Sequence, residues 1–296
     1  MTGSLTVVGT GIRALTQLTA EADAAIRGCD VVHYVVPDPL SAQMLHWNAQ
    51  EARDLADLYD VTVERSDTYA AMVERIVADV VDGRDVCAAF YGHPGMFVDP
   101  SHDAIERVRA LGLPARMLPG VSAADALYAD LGLDPGTDGL AQYTAMDFLV
   151  RPRVFDPTTP LLLWQIGAVG ETKGAHEVAT DHLGTVVEAL RRSYPADHRV
   201  VLYVGSGQPT GPAQVSVVPL ERLPQAEVAR ESTLLVPAVE TAAVDEDMAA
   251  RLGVSASAKQ SRPGRFDVEA LVARSDPALS ISEAEQIGVT SLETGG

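Results

Sequence analysis

Short apolar runs alternate with longer amphipathic stretches through the first 120 residues, and this alternation constrains the fold more than any other feature. Apolar runs of this kind predict buried β-strands, and the segments between them carry the period and end signals of helices. A repeated strand-helix-strand pattern predicts a parallel sheet, with ligands at the carboxyl ends of its strands. The predicted strands are 5–8, 31–36, 86–90 and 115–118, and the predicted helices run from Thr19 to Gly28, from a cap at Ser66 to Gly83, and over 101–111.

The pattern changes after Gly120, where a second α/β domain with a mixed sheet is predicted. Predicted strands at 159–166 and 198–204 are followed by two more, at 214–219 and 232–236, which lie close enough in the chain to pair antiparallel. Predicted helices cover 122–131 and 184–193. We therefore expect an α/β protein of two domains, residues 1–120 and 121–240, with a helical tail over 241–296. The cleft between the two domains is the expected ligand site.

Composition and charge exclude several classes of protein. The chain is 47% hydrophobic and 21% charged, as in globular domains, and its formal net charge of -19 opposes binding to nucleic acid. It has no apolar run long enough to cross a membrane, and its N-terminus lacks the features of a signal peptide. Cys29 and Cys87 lie beside apolar runs and are expected to be buried free thiols, and no metal-ligand spacing occurs. A cytoplasmic protein is predicted, with no metal and with neither nucleic acid nor membrane as a partner.

The loop at residues 90–97, Phe-Tyr-Gly-His-Pro-Gly-Met-Phe, has the features of a ligand-binding loop. It follows a predicted buried strand and precedes a helix that is expected to open near Ser101. Two glycines and a proline make such a loop rigid and low in profile, so that a ligand can lie against bare backbone. The alternative is an ordinary strand-to-helix turn.

The turn at residues 9–14 matches the G-x-G-x-x-A form of a dinucleotide fingerprint. That fingerprint requires a helix that opens directly at the glycines, so that its N-terminus meets the pyrophosphate. The better helix start here is Thr19, several residues later, and no acidic residue ends the second strand at the expected offset. A nicotinamide-dinucleotide-binding protein is therefore a disfavoured alternative.

Four stretches carry a family resemblance when they are taken together: the turn at 9–11 leading to residues 18–20, the strand at 30–34, the loop at 92–95, and the segment 118–122. With them the chain resembles the tetrapyrrole-methylase superfamily. The resemblance implies two α/β domains with S-adenosylmethionine (SAM) folded into the cleft between them. Ile12-Arg13-Ala14 and His93 stand where the porphyrinoid enzymes usually carry Pro-Gly-Asp and Asp, which argues against a corrinoid or porphyrin substrate.

The resemblance also implies which residues contact the cofactor. Ser122 and Ala123 begin a predicted helix, and their N–H groups suit the methionine carboxylate. Gln165 and Ile166 end a predicted strand at the cleft, and His93 is interpreted as a SAM contact and not as a general base. The predicted cofactor-binding residues are Gly9, Gly11, His93, Pro94, Gly95, Met96, Phe97, Ser122, Ala123, Gln165 and Ile166.

Five further segments make the resemblance more specific: 59–69, 90–98, 117–120, 127–132 and 144–149. They look like the borosin peptide α-N-methyltransferases. This resemblance implies SAM-dependent methylation of backbone amides in a ribosomally made peptide, which is either fused to the enzyme or supplied separately. The alternatives are C-methylation of a tetrapyrrole and a binding module without catalytic activity.

The resemblance to borosin enzymes implies a catalytic set of Tyr59, Arg65, Tyr69 and Tyr91. Methylating an amide nitrogen requires loss of its proton and stabilisation of charge on the amide oxygen, because the nitrogen lone pair is committed to the peptide bond. Arg65 and Tyr69 lie four residues apart at a helix start, where a guanidinium can hold that charge. A phenol near a cation is expected to have a lowered pKa, which makes it a more plausible general base than a free tyrosine, and which of the tyrosines is the base stays open. The alternatives are core packing for each tyrosine and a surface ion pair for Arg65.

The tail is expected to contain a helix over 245–252, a polar linker over 255–264, a helical segment over 266–273, and a capping box at 282–285. Its residues 266–285 loosely resemble the leader segment through which borosin substrates bind their enzyme. A partly ordered terminus is the alternative. The sequence leaves open whether the substrate peptide is fused or separate. A homodimer is expected, since the resemblance implies one and amide deprotonation needs water excluded.

Overall fold

The computed structural model describes residues 2–173, 178–254 and 266–273 of the chain. The chain divides into two compact units. The first contains the residues up to Leu127 together with two later segments that begin at Glu171 and Gly205, and the second contains the remainder. Each unit has its own five-stranded sheet.

The first unit is built on a parallel sheet with the strand order β3-β2-β4-β1-β5. This confirms the parallel α/β architecture predicted from the alternation of apolar runs. The short edge strand β3 was missed because its residues, Ala-Arg-Asp, are mostly polar and carry no apolar pattern. The strands are β1 Ser4–Gly9, β2 Val31–Val35, β3 Ala52–Asp54, β4 Asp85–Phe90 and β5 Ala115–Met117.

Helices α1 to α5 follow the strands of this sheet. The helix predicted to start at Thr19 begins one residue later, and Thr19 is its cap: its side chain accepts a hydrogen bond from the N–H of Ala22 at 3.1 Å. The prediction that Ser66 caps α3 is wrong: the helix begins at Arg65, with Glu64 at the cap position. The helices are α1 Ala20–Gly28, α2 Pro39–Asn48, α3 Arg65–Val81, α4 Asp99–Ala110 and α5 Ala123–Leu131.

Apolar residues cover both faces of the first sheet, because alternate residues of a strand point to opposite sides. On one face α3 packs Met72 and Ile76 against Val7 and Ala88. On the other face, Ile26 and Leu45 of α1 and α2 lie in a second core cluster. That cluster includes Cys29 and Cys87, which are buried free thiols as predicted.

The second unit is built on a mixed sheet, as the sequence predicted, and its strand order is β6-β7-β10-β8-β9. Strand β6 was missed. Strand β6 is parallel to β7, and the other neighbours are antiparallel. The expectation that β9 and β10 pair with each other is wrong, since β8 lies between them. The strands are β6 Ala141–Thr144, β7 Leu161–Trp164, β8 Arg199–Val204, β9 Gln214–Pro219 and β10 Thr233–Val236.

A short 3-10 helix, Leu220–Gln225, explains why β9 and β10 are separated. It buries Leu220 and Leu223 in the second core, so the chain leaves the sheet after β9 and returns on the other side of β8. The helices of the second unit are α6 Pro135–Asp138, α7 Ala145–Val150, α8 Leu183–Leu190, α9 Glu246–Leu252 and α10 Val268–Ala273.

The described part of the tail packs on the second unit. The helix predicted over 245–252 is present as α9, with Asp245 as its cap, and α10 buries Leu271. The N–H of Phe266 donates to the Asp138 carboxylate at 3.0 Å, and Arg199 pairs with Glu269 at 2.8 Å. The predicted linker over 255–264 and the capping box at 282–285 lie outside the described residues. None of the described helices is long and apolar enough to span a bilayer.

Candidate active site

Most of the catalytic and cofactor-binding residues predicted from the sequence lie at the carboxyl edge of the first sheet. Because all five strands are parallel, the loops that follow β1, β4 and β5 leave from the same edge. Tyr91 follows β4, and its N–H donates to the carbonyl of Val35 at the end of β2 at 3.1 Å. Tyr59 follows β3 and the short 3-10 helix Ala56–Leu58, after which the chain turns into α3 with Arg65 and Tyr69 in its first turns.

Three glycines from three different loops pack backbone to backbone at this edge. A Cβ atom placed on Gly9 would lie 2.2 Å from the carbonyl oxygen of Gly92 and 3.3 Å from the Cα of Gly120. A Cβ atom on Gly120 would lie 2.9 Å from the same oxygen. No side chain fits at such distances, so only glycine lets the three backbones approach this closely. We call Gly9, Gly92 and Gly120 the glycine crossing.

A pair of hydrogen bonds joins the first and second of these loops. The N–H of Gly11 donates to the carbonyl of Gly92 at 3.3 Å, and the N–H of Gly92 donates to the carbonyl of Gly11 at 3.0 Å. Both glycines have left-handed backbones, with φ of 78° and 74°. Side chains are disfavoured in that region, so each glycine is needed for its conformation.

The loop after β4 is held by its own hydrogen bonds. The N–H of Gly95 donates to Nδ1 of His93 at 3.0 Å, and the N–H of Met96 donates to the carbonyl of His93 at 3.1 Å. Ser101 Oγ donates to the carbonyls of Pro94 and of Val98. Since Nδ1 of His93 accepts a hydrogen bond, a neutral ring carries its proton on Nε2.

Phe97 shows that this loop is more than a simple turn. Its φ is 59°, which is uncommon for a residue with a side chain, and 44% of its surface is exposed. Such a conformation costs on the order of 1–2 kcal/mol, and the surrounding hydrogen bonds must offset that cost. An exposed aromatic ring held in this way is suited to contact a ligand.

The start of α5 is occupied by a side chain of the helix itself. The N–H and the hydroxyl of Ser122 both donate to the Asp125 carboxylate at 2.7 Å, and the N–H of Asp125 donates back to Ser122 Oγ at 3.1 Å. Ser122 is buried and Ala123 half-buried. A ligand carboxylate that used the Ser122 N–H would therefore have to displace Asp125.

Arg65 is held by a segment that returns to the first unit much later in the chain. Its N–H donates to the carbonyl of Thr172 at 2.9 Å, and its Nη2 donates to the carbonyl of Lys173 at 3.1 Å. Both the backbone and the guanidinium of Arg65, the first residue of α3, are thus held by this segment. A guanidinium has five N–H donors, so Arg65 can also bind another oxygen.

Tyr69 has a pKa well above its usual value, and the predicted lowering of this pKa is wrong. Burial of the phenol is the largest cause, and the nearby Tyr59 also raises the pKa. Arg65 lowers it, as the sequence suggested, but by less than burial raises it. Both tyrosines are partly buried and pack against the core of the first unit.

Gln165 and Ile166 belong to the second unit. Gln165 follows β7, is exposed, and has a left-handed backbone with φ of 58°. The side chain of Ile166 is fully buried, and its N–H donates to the carbonyl of Ser232 at 3.0 Å. Ile166 therefore contributes to the second core.

Gln17, Gly92 and Gly120 were missed as site residues. Gly92 and Gly120 lay in motifs that the sequence singled out, but only the folded chain shows that they meet Gly9. Oε1 of Gln17 accepts hydrogen bonds from the N–H groups of Ile12 and Arg13 at 2.8 and 2.9 Å. No local pattern marks a glutamine for that role.

The structure supports the rejection of a dinucleotide fingerprint at residues 9–14. The following helix begins at Ala20 and not at the glycines. In the part of the chain that is described, no group of three or more metal-ligating side chains occurs.

The sequence family follows from comparison with known proteins. The model for tetrapyrrole (corrin/porphyrin) methylases matches residues 4–224. Since this is most of the chain, the protein belongs to the tetrapyrrole (corrin/porphyrin) methylase family. Solved structures agree on the fold: uroporphyrin-III C-methyltransferase from Thermus thermophilus superposes with a TM-score of 0.57 at 22% identity, over 81% of this chain and 94% of that chain.

More similar relatives confirm the resemblance to borosin enzymes. A methyltransferase/ribosomally synthesized type I borosin cyclic peptide precursor from Serendipita vermifera subsp. bescii is 40% identical over 85% of this chain and 63% of its own length. One of the same description from Cerrena unicolor is 32% identical over 99% of this chain and 72% of its own. The omphalotin A precursor methyltransferase of Omphalotus olearius is 37% identical over 84% and 61%. The chain spans less than two thirds of the first and third of these relatives.

Proposed function

We propose that this protein transfers methyl groups from SAM to backbone amide nitrogens of a ribosomally made peptide. The observation that carries the proposal is the position of Arg65, Tyr69 and Tyr59 at the same sheet edge as the glycine crossing. The names of the relatives, methyltransferase and borosin cyclic peptide precursor in one chain, support the same substrate class.

The residues at the first sheet's edge fit the cofactor. The glycine crossing holds three loops closely together at this edge, and such a rigid, low-profile surface suits a ligand that lies across the loops. A related fold was solved in complex with S-adenosylhomocysteine, which supports the same ligand class here. The residues of the first unit proposed to hold SAM are Gly9, Gly11, His93, Pro94, Gly95, Met96, Phe97, Ser122 and Ala123. When bound, SAM supplies a methyl group on a positively charged sulfur.

Arg65 and the tyrosines supply the two functions that methylation of an amide requires, which are removal of its proton and stabilisation of charge on its oxygen. For the amide nitrogen to accept a methyl group from the sulfonium, its proton would have to pass to a tyrosine of the set in the phenolate form. Arg65 holds the charge that builds up on the amide oxygen, since a guanidinium stays charged and offers several N–H donors. Burial raises the pKa of Tyr69, so its phenol holds its proton in the free protein. A bound cation near the ring would act in the same direction as Arg65 and lower this pKa.

The protein is further proposed to act as a cytoplasmic homodimer. Two buried free thiols, Cys29 and Cys87, are typical of a reducing compartment. Amide deprotonation requires that water be kept from the developing charge, and a second subunit is a common way to cover a site. Trp47 is 72% exposed and Leu40 is 40% exposed on α2, and exposed apolar surface of this kind is often buried in assemblies.

Calorimetric titration of the purified protein with S-adenosylhomocysteine tests the cofactor proposal. We expect saturable binding of one molecule per chain. An Ala variant of Gly120 should bind much more weakly, because its Cβ would fill the glycine crossing. No saturable binding to the wild-type protein at millimolar ligand would overturn the proposed function.

A further inference from the structure

Gln17 closes the loop that follows the glycine turn. Its Oε1 accepts hydrogen bonds from the N–H groups of two consecutive residues, Ile12 at 2.8 Å and Arg13 at 2.9 Å. The next N–H, that of Ala14, donates to the carbonyl of Gly207 at 3.0 Å. Three successive amides of this loop are therefore bound within the chain.

This arrangement explains why the turn does not serve a dinucleotide. In a dinucleotide-binding turn, amides at this position point at the pyrophosphate, and the helix N-terminus adds its dipole. Here the helix starts at Ala20, and the side-chain oxygen of Gln17 takes the place that a phosphate oxygen would occupy on the amides of Ile12 and Arg13. The turn has the glycines of the fingerprint, but the amides of Ile12 and Arg13 already have an acceptor in Gln17 and are not available to a phosphate.

Gln17 is also packed against the glycine that joins the two loops of the site. A Cβ atom on Gly11 would lie 2.4 Å from the Cβ of Gln17 and 2.9 Å from its carbonyl oxygen. Gly11 in turn exchanges two hydrogen bonds with Gly92. If Gln17 moves, Gly11 must move with it, and Gly11 is hydrogen-bonded to Gly92 of the glycine crossing.

We propose that Gln17 is a positioning residue of the SAM site, which sets the shape of residues 11–14 against the loop after β4. The inference rests on the proposed function, because it assumes that the cofactor lies at this sheet edge. Gln17 acts through Gly11 and Gly92, and its essential feature is an acceptor oxygen at the end of a side chain of this length.

Two substitutions separate this role from simple packing. Gln17→Leu keeps much of the volume but leaves the amides of Ile12 and Arg13 without their acceptor, whereas Gln17→Glu keeps an acceptor oxygen. Gln43→Leu makes the same chemical change at an exposed position of α2 and serves as the control. Affinity for S-adenosylhomocysteine is measured by calorimetry, and amide hydrogen exchange of residues 12 and 13 is measured by NMR.

We expect Gln17→Leu to weaken cofactor binding by about tenfold or more, with faster exchange at the two amides. Gln17→Glu should stay within about threefold of the wild-type affinity, and Gln43→Leu should match the wild type. Wild-type affinity in a folded Gln17→Leu variant would overturn the proposal. If Gln17→Leu does not fold, a tenfold loss in Gln17→Glu with its amides still protected would also overturn it. Absence of binding by the wild-type protein would instead refute the proposed function.

Discussion

Arg65 and Tyr69 are one helical turn apart, and they show how a single residue's environment can reverse a prediction from sequence. The spacing placed a cation beside a phenol, which on its own lowers the pKa of the phenol. The fold adds burial of the ring and the neighbouring Tyr59, and together they raise that pKa. The spacing is local and can be read from the chain, whereas burial depends on the whole unit.

Substitutions at these two positions should separate chemistry from cofactor binding. Arg65→Lys keeps the charge but loses the planar fork of donors, and Tyr69→Phe loses only the hydroxyl group. We expect each to lower the rate of methyl transfer by about a hundredfold or more, with SAM affinity within about threefold of the wild type. Single-turnover rates and calorimetry measure the two effects.

Matched controls exist for both substitutions. Arg75→Lys changes an arginine on the same helix that pairs with Asp57 at the surface, and Tyr143→Phe changes a tyrosine of the second unit. Both controls should retain activity. Parallel losses of affinity and rate in Arg65→Lys and Tyr69→Phe would contradict the assigned roles and indicate that the two residues support the fold.

Tyr194 gives a prediction about alkaline stability. Its hydroxyl is buried and, among the described residues, has no hydrogen-bond partner. Burial, with a smaller effect of Asp156, raises the pKa of Tyr194 to about 12. Because the folded pKa lies above the unfolded value of about 10, this tyrosine contributes stability that is present below pH 10 and is lost as the pH rises towards 12.

Tyr194→Phe should therefore be equally stable at pH 7, or more stable by up to about 1 kcal/mol, because no buried hydroxyl is left unsatisfied. Above pH 10 the variant should lose less stability than the wild type. Urea unfolding at pH 8 and at pH 11 measures both quantities. An equal loss in the two proteins would show that the Tyr194 hydroxyl is solvated in the folded state.

At the scale of elements, the glycine crossing makes the loops after β1, β4 and β5 one structure. Gly9→Ala would bring a Cβ atom within 2.2 Å of the Gly92 carbonyl oxygen, so the backbone must move. We expect a loss of about 1–3 kcal/mol in unfolding free energy together with loss of cofactor binding. Thermal unfolding and calorimetry measure the two.

Gly28→Ala is the matched control for that substitution. Gly28 is the last residue of α1, and no atom lies within 4 Å of the position that a Cβ would take. The variant should be as stable as the wild type or more stable by about 0.5 kcal/mol, since alanine favours the helix over glycine. A Gly9→Ala protein that binds cofactor normally would show that the crossing is not part of the site.

Elements with a strong local signal were predictable from the sequence, and those defined by distant partners were not. The predictions of β1, β2 and β4 were correct because strands buried on both faces carry continuous apolar runs. The start of α1 was found because Thr19 directly precedes an alanine-rich segment. Helix α2 was missed because Pro37-Asp38-Pro39 marked the end of a strand, while Asp38 also caps the helix by accepting from the N–H of Ser41.

In the candidate site, too, residues with a local signal were predictable and residues that depend on distant partners were not. The loop at residues 90–97 could be singled out from its own composition. Its partners could not, because Gly9, Gly92 and Gly120 are far apart in the chain and meet only through the parallel order of β4, β1 and β5. Gln17 was missed for a related reason, since its two hydrogen bonds depend on the path of the loop that it closes.

At the scale of the whole molecule, the account predicts a dimer. Light scattering over a dilution series should give twice the 31.3 kDa mass of the chain. Methyl-transfer activity per chain should fall as the dimer dissociates, because water then reaches the site. Full activity in a sample that is monomeric by light scattering would contradict the dimer proposal and leave the chemistry of Arg65 and Tyr69 unaffected.

The central claim is that the methyl group is transferred to a peptide backbone nitrogen. The most direct test is tandem mass spectrometry of the full-length protein, co-expressed with short peptides from its own genome and incubated with isotopically labelled SAM and an added porphyrinogen. The account predicts labelled methyl groups on backbone amide nitrogens of a peptide, whether carried on the chain or separate, and none with Tyr69→Phe. Label on the porphyrinogen carbons, with none on any peptide, would contradict it.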